Sequence, residues 1–201
     1  MNSQVLKSFM GLHECEILQW YLQLRADNGK VAKRTLKSGK RWEVHSSPLT
    51  DAVGLTYKRQ VEDAFKTKLS LSSTCLRKFA KDSHVGWHRN KWNFEYVVAI
   101  QVSDSTWPIG FADKQDNPLV EGLQSRNITD FTKLTALQGD AIAFNGATTY
   151  HGRRSAPTDC TILYLYYVEE NQYLDNKAGR EKYGDEFTTK IDLHGEVKFD
   201  A

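Results

Sequence analysis

From Ser70 to Val168 the chain falls into short apolar runs at residues 72–79, 95–102, 107–111, 127–137, 140–144 and 161–168, broken by Gly, Asn, Asp or Pro. Runs of this length, rich in aromatic and β-branched residues and bounded by turn formers, read as strands rather than helices. So many short strands must bury their apolar sides against one another without leaving long open edges. Roughly eight antiparallel strands with turns at this spacing fit a double-sheet jelly roll.

The chain before Ser70 has a different period. Leu12, Cys15, Ile17, Leu18, Tyr21, Leu22 and Leu24 recur near 3.6 residues and predict an amphipathic helix after a short strand at the N-terminus, ended by Asp27-Asn28-Gly29 as a left-handed cap would end it. His13, Glu14 and Glu16 then occupy its first turn as a solvated face favoured by the helix dipole. Residues 46–49 read as a loop, and residues 56–68 as a second helix with Tyr57, Val61, Ala64, Phe65 and Leu69 on one face. Helices ahead of a strand-rich region predict an α+β domain in which helices buttress a sheet. At 201 residues and 23.0 kDa the expectation is a single domain. Residues 1–70 supply helical support and a hairpin, 71–168 the jelly-roll core, and 169–201 a C-terminal extension. That extension has a helix-like piece at 176–183, a final strand at 190–199 and His194 in a surface loop.

Charge is nearly balanced, with 27 Lys and Arg against 25 Asp and Glu, so no whole-molecule field for polyanions is implied. No apolar run approaches the ~20 residues of a membrane helix, and no secretory signal is read at the N-terminus. Cys15, Cys75 and Cys160 are odd in number, far apart and without CxxC spacing, which points to a reduced, cytoplasmic setting with all three as small core residues. Residues 25–41 are the local exception. Arg25, Lys30, Lys33, Arg34, Lys37, Lys40 and Arg41 face Asp27 alone, with Ser38-Gly39 as the turn between two strands. As structure this is a charged surface hairpin. As function it is a flap over a substrate, touching the phosphates of a nucleic acid.

Two histidines stand at the edges of strand-like runs: His88 in Gly86-Trp87-His88-Arg89-Asn90, and His151 after Gly139-Asp140-Ala141-Ile142-Ala143-Phe144 and the polar turn 145–149. They lie 63 positions apart, 151 − 88, and meet only if the intervening strands fold back. Two neutral imidazoles and one oxygen ligand, with three positions open, suit an Fe(II) that binds a chelating co-substrate and oxygen. The position two after His88, on the same side of an extended chain, is Asn90.

Residues 75–167, and more loosely 5–9, resemble the Fe(II)/2-oxoglutarate-dependent dioxygenase superfamily, in particular the branch shared by prolyl-hydroxylase-like enzymes and alkylated-nucleic-acid repair dioxygenases. Leu76-Arg77-Lys78-Phe79 is similar to that branch's strand with an aromatic residue nine positions before the first ligand, and Gly139 to Phe144 to the segment before its second histidine. The resemblance implies a double-stranded β-helix, His88 and His151 as iron ligands, and hydroxylation or demethylation of a substrate C–H bond with release of succinate and CO2. The chain departs from the pattern twice. Asn90 stands where the family has Asp, so the amide ligates, or water or halide takes the place, or activity is lost; Glu95 and Asp113 are alternative carboxylates. Thr161 stands where an arginine normally grips 2-oxoglutarate. Arg77 is the first candidate to replace it, then Arg153, which shares His151's parity, and its neighbour Arg154. Trp87, Trp92, Phe94, Tyr96 and Trp107 read as core, with Trp92 or Trp107 alternatively a pocket wall. Three readings stand: an oxygenase, a degenerate jelly roll that binds a small acid or a protein partner, and a nucleic-acid-directed oxygenase or binder using residues 25–41.

Overall fold

The change of period at Ser70 is a change of architecture in the computed structural model, which describes residues 3–112 and 131–170. Strand β1 (Gln4–Leu6) leads into helix α1 (Leu12–Asp27), hairpin β2 (Ala32–Leu36) and β3 (Gly39–His45), and helix α2 (Pro48–Phe65). Eight strands follow: β4 (Leu69–Phe79), β5 (Val85–His88), β6 (Tyr96–Gln101), β7 (Ile109–Ala112), β8 (Thr132–Leu134), β9 (Ala141–Asn145), β10 (Tyr150–Arg153) and β11 (Cys160–Glu169). They divide four and four. One sheet runs β1-β9-β6-β11-β4-β3-β2 and the other β5-β10-β7-β8, with antiparallel pairing throughout. This is the α+β double-stranded β-helix, or jelly roll, that the strand spacing predicts.

Strand alternation sorts the core into two layers. On β11, Leu163, Leu165 and Tyr167 face the helices and pack with Cys15, Leu18, Val61 and Phe65. Ile162, Tyr164 and Tyr166 face the small sheet with Phe79, Trp107 and Phe144. Helix α2 lies close on the large sheet because residue 54 is glycine. A Cβ there would come within 2.8 Å of Leu71 Cδ1, and the Gly54 carbonyl accepts a 2.7 Å bond from the buried Tyr167 hydroxyl.

Helix α2 begins eight residues before the predicted start at 56, so the loop predicted at 46–49 is confined to residues 46–47. Ser47 caps it, Pro48 supplies the pre-set φ of a first turn, and the Thr50 amide donates to Ser47 Oγ at 3.3 Å. Its first turns bury polar contacts: Thr74 Oγ1 lies 2.7 Å from Thr50 Oγ1 and 2.6 Å from Asp51 Oδ1. An apolar period therefore could not reveal that face.

Helix α1 matches its prediction, with Gly29 at φ +66° after its end, yet the apolar residues are not all on one side. Cys15, Leu18 and Leu22 are buried, whereas Ile17, Trp20 and Leu24 are exposed. Glu14 is more than a solvated residue, since it accepts from the Gly11 amide at 2.9 Å and the Tyr57 hydroxyl at 2.7 Å. The hairpin turns at 37–38, one residue ahead of the expected Ser38-Gly39, and Gly39 already pairs with Leu36. All three cysteines are free and buried. Among the described residues no helix is long and apolar enough to cross a membrane. Asp113, residues 127–130 of the fourth predicted strand, and the predicted helix, strand and His194 of residues 171–201 lie outside the described residues.

Candidate metal centre

Strand β10 sits inside the small sheet between β5 and β7, and its register places His151 directly opposite His88. Directly opposed residues on antiparallel strands point to the same face with Cβ atoms about 5 Å apart. The two rings accordingly lie 4.4 Å apart between centroids, tilted by 52°. The pairing requires the turn before β10 to be tight. Asn145 Oδ1 makes it so, accepting from the amides of Ala147 at 3.1 Å and Thr148 at 3.0 Å.

Both rings are held in the same tautomer. Nδ1 of His88 donates to the Gly86 carbonyl at 2.9 Å, and Nδ1 of His151 to the Thr149 carbonyl at 2.9 Å. A proton fixed on Nδ1 leaves the lone pair on Nε2, the arrangement in which imidazole binds a metal. Electrostatics keep both rings neutral. Burial, then the charges of His88 and Arg153, push His151 down to about 3 against the opposing bond to Thr149. Desolvation by the surrounding protein, with Arg77 adding to it, likewise lowers His88, although its side chain keeps an exposed edge.

Asn90 lies beyond the end of β5 and takes its position from the neighbouring loops. Its amide N–H donates to the Gly146 carbonyl at 2.8 Å, and Nδ2 donates to the Phe94 carbonyl at 3.2 Å. The Asn90 side chain also interacts with His88. Gly146 makes the room: a Cβ there would stand 2.4 Å from Asn90 Nδ2. The sequence alternative Glu95 does not line this cavity; it is buried under the turn, with Asn145 Nδ2 donating to Oε1 at 3.4 Å.

His88, Asn90 and His151 share a cavity of about 60 Å³ with Arg77, Arg153 and Tyr164. Arg77 comes from β4, opposite Ile162 of β11. Its guanidinium stands 5.5 Å from the Phe79 ring centroid and 5.4 Å from that of Tyr164. Arg153 is buried on β10, donates to the Trp107 carbonyl and stacks on the Trp107 ring at 5.1 Å. Arg154 has the opposite parity. It is exposed, lies over Phe131 at 5.1 Å and does not line the cavity. Thr161 turns to the other face of the sheet, where a groove of about 440 Å³ runs between Gln19, Asp27, Trp42 and Lys78. That groove is larger but has no imidazole, so the small cavity is the candidate centre. Trp107 is buried core against Phe79 and braces Arg153.

The sequence reading missed Glu43. Its side chain is 1% exposed and forms ion pairs with Arg34 Nε at 2.9 Å, Arg41 Nε at 2.8 Å and Arg77 Nε at 2.5 Å, and His45 Nε2 lies within hydrogen-bond reach at 3.2 Å. The signal was a lone acidic residue between Trp42 and Val44 in a strand of a basic hairpin. Glu43, His45 and Cys75 have donor atoms within 4.8 Å of one another, but three guanidinium groups already surround the carboxylate, so a divalent cation there would meet their repulsion.

No protein-family model and no curated protein matches the sequence. Solved structures do match the fold. The non-haem α-ketoglutarate-dependent epimerase SnoN of nogalamycin biosynthesis superimposes with TM-score 0.63 at 11% identity, covering 83% of this chain and 78% of that one. HygX from Streptomyces hygroscopicus, solved with nickel, 2-oxoglutarate and hygromycin B bound, gives 0.61 at 16% over 83% and 82%. A Pseudomonas putida prolyl-4-hydroxylase gives 0.61 at 9% over 84% and 92%. At such identities the likeness is one of architecture: this chain has the double-stranded β-helix on which those 2-oxoglutarate-dependent and prolyl-hydroxylating proteins are built.

Proposed function

We propose that this chain is a cytoplasmic, single-domain Fe(II)/2-oxoglutarate-dependent oxygenase of the prolyl-hydroxylase-like and nucleic-acid-repair branch. The carrying observation is the pair of opposed imidazoles, each with Nδ1 tied to a carbonyl two residues upstream and both lining one cavity. Two imidazole nitrogens and the amide oxygen of Asn90 fit a first-row divalent metal with positions to spare. Bound there with 2-oxoglutarate, iron would supply oxidative hydroxylation or demethylation of a C–H bond, with succinate and CO2 as by-products. The residues do the positioning. His88 and His151 ligate, Arg77 takes the distal carboxylate of the co-substrate from the strand beside β11, and Arg153 is the second candidate for that role. Phe144 and Tyr164 keep water from the cavity.

Asn90 favours one other reading, a jelly roll that binds its acid without turnover. Anaerobic titration with Fe(II) and 2-oxoglutarate tests both. A weak visible charge-transfer band, lost in His151→Ala, is expected; no band and no metal uptake would refute the oxygenase. A band without any consumption of 2-oxoglutarate in air, across a substrate panel, would select the non-catalytic reading.

A further inference from the structure

The groove on the helix side of the large sheet lies between α1 and one row of cross-strand neighbours. Lys33 pairs with Trp42, Trp42 with Lys78 and Lys78 with Thr161, so β2, β3, β4 and β11 each place one side chain on its floor. The row is two residues along from Val44, Leu76 and Leu163, which are buried in the layer beneath the helices. Helix α1 contributes Leu18 and Leu22 to that layer, but one turn after Leu22 the residue is Ala26, whose methyl group leaves space that a leucine would fill. The resulting volume of about 440 Å³ is within the range of about 300–1,000 Å³ that small-molecule sites occupy.

The bottom of the groove is polar. Thr161 is 6% exposed and its amide donates to Ser103 Oγ at 2.9 Å, but its hydroxyl makes no hydrogen bond among the described residues. A buried hydroxyl of that kind calls for a partner from outside the chain. Charge points the same way. Lys33 and Lys78 line the groove against Asp27 alone, and Gln23 Nε2 already donates to Asp27 Oδ1 at 2.7 Å. Lys33 has no ion pair with a described residue. Lys78 meets Asp159 at 3.4 Å, but with the two side chains 39% and 55% exposed that pair contributes little. The Trp42 indole stands between the two lysines in the row, with Lys78 Nζ 5.8 Å from its ring centroid. An anion with a flat apolar body suits all of these groups, whereas a cation would meet two ammonium groups.

We propose that this groove binds a small aromatic carboxylate, its ring against Trp42 and Leu22 and its carboxylate between Lys33 and Lys78, accepting from the Thr161 hydroxyl. Rings favour offset or edge-on contact with an indole, and a carboxylate accepts from ammonium and hydroxyl groups alike. The site is separate from the histidine cavity, because Arg77 and Ile162, the chain neighbours of Lys78 and Thr161, point to the other face of the sheet. The assignment therefore does not rest on the oxygenase reading.

Calorimetric titration of the metal-free protein with 2-naphthoate tests it, with 2-naphthylmethanol as the neutral probe and acetate as the ring-free one. 2-Naphthoate should bind about tenfold more tightly than either. Trp42→Leu and Lys33→Met/Lys78→Met should each weaken it by about fivefold or more, and the nearly isosteric Thr161→Val by about threefold. No binding of 2-naphthoate, equal affinity for either control probe, or unchanged affinity in Thr161→Val and the double lysine variant would overturn the site. A loss of affinity in Arg77→Gln with the groove variants unaffected would also overturn it, by putting the carboxylate in the histidine cavity. Thermal unfolding of each variant separates a lost site from a lost fold.

Discussion

Replacing Glu43 by Gln keeps its shape and removes the one negative charge among three guanidinium groups and an imidazole. Burial works against that charge, yet the bond from His45 and the fields of Arg77 and Arg41 outweigh it and hold the carboxyl down at about 2 against an ordinary 4.5. Because the folded-state pKa is depressed, the stabilisation is fully present above pH 4.5 and fades as pH falls towards 2. At about 1.36 kcal/mol per unit the difference is worth about 3 kcal/mol at pH 6 and about 1.4 kcal/mol at pH 3. Breaking a buried ion pair costs about 3–5 kcal/mol by a separate route, which agrees. Urea unfolding of the wild type and Glu43→Gln at both pH values measures it. A difference below about 1 kcal/mol at pH 6, or one that does not shrink at pH 3, would refute the view that Glu43 neutralises the cluster. His45 supplies a check of opposite sign: its raised pKa stabilises fully below 6.5 and is lost as pH rises through about 9. Wild-type stability should therefore decline over that window, and less so in the variant.

Asn90→Asp should bind cobalt(II) or iron(II) about 10- to 100-fold more tightly, by returning a charge to the ligand shell. The apo protein should lose about 1 kcal/mol with the bond to the Phe94 carbonyl, and metal titration with thermal unfolding reads both. Arg77→Gln should weaken 2-oxoglutarate binding by about tenfold or more, measured by quenching of intrinsic fluorescence in the metal-loaded protein; a larger loss in Arg153→Gln would reverse the two roles. Tyr167→Phe should cost about 1 kcal/mol in urea unfolding, because it removes a buried hydrogen bond to the Gly54 carbonyl.

How much of this was legible in the sequence depended on the kind of signal. Strand alternation and breakers gave six of the eight strands of the roll where they are described, because each of those has an apolar side facing a core layer; the four-residue β5 and β10, each with a glycine, were read only as strand edges carrying the histidines. The start of α2 was hidden because Thr50 and Gly54 bury without being apolar, and the periodic list for α1 mixed buried Leu18 and Leu22 with exposed Ile17 and Leu24. His88 and His151 could be paired from their places at strand edges. Glu43 could not, since its partners Arg34 and Arg77 come from strands on either side, and no local pattern records that convergence.

The centre has two parts with unequal freedom to change. The imidazoles are cross-strand neighbours, so their meeting is set by the β5–β10 ladder; a slip of one residue would turn His151 out of the cavity and every other side chain of β10 with it. Asn90 lies past the ladder and is positioned by the Gly146 and Phe94 carbonyls, so the residue type there changes without disturbing a strand. The missing arginine is a different matter. Position 161 faces the groove beside Trp42 and Lys78, and an arginine there would point away from the histidines. Among the described residues the cations that line the cavity come from the inward-facing positions 77 and 153, and both are arginines. On the proposed oxygenase reading, Thr161 therefore does not count against co-substrate binding, and the amide at position 90 is the departure that bears on catalysis.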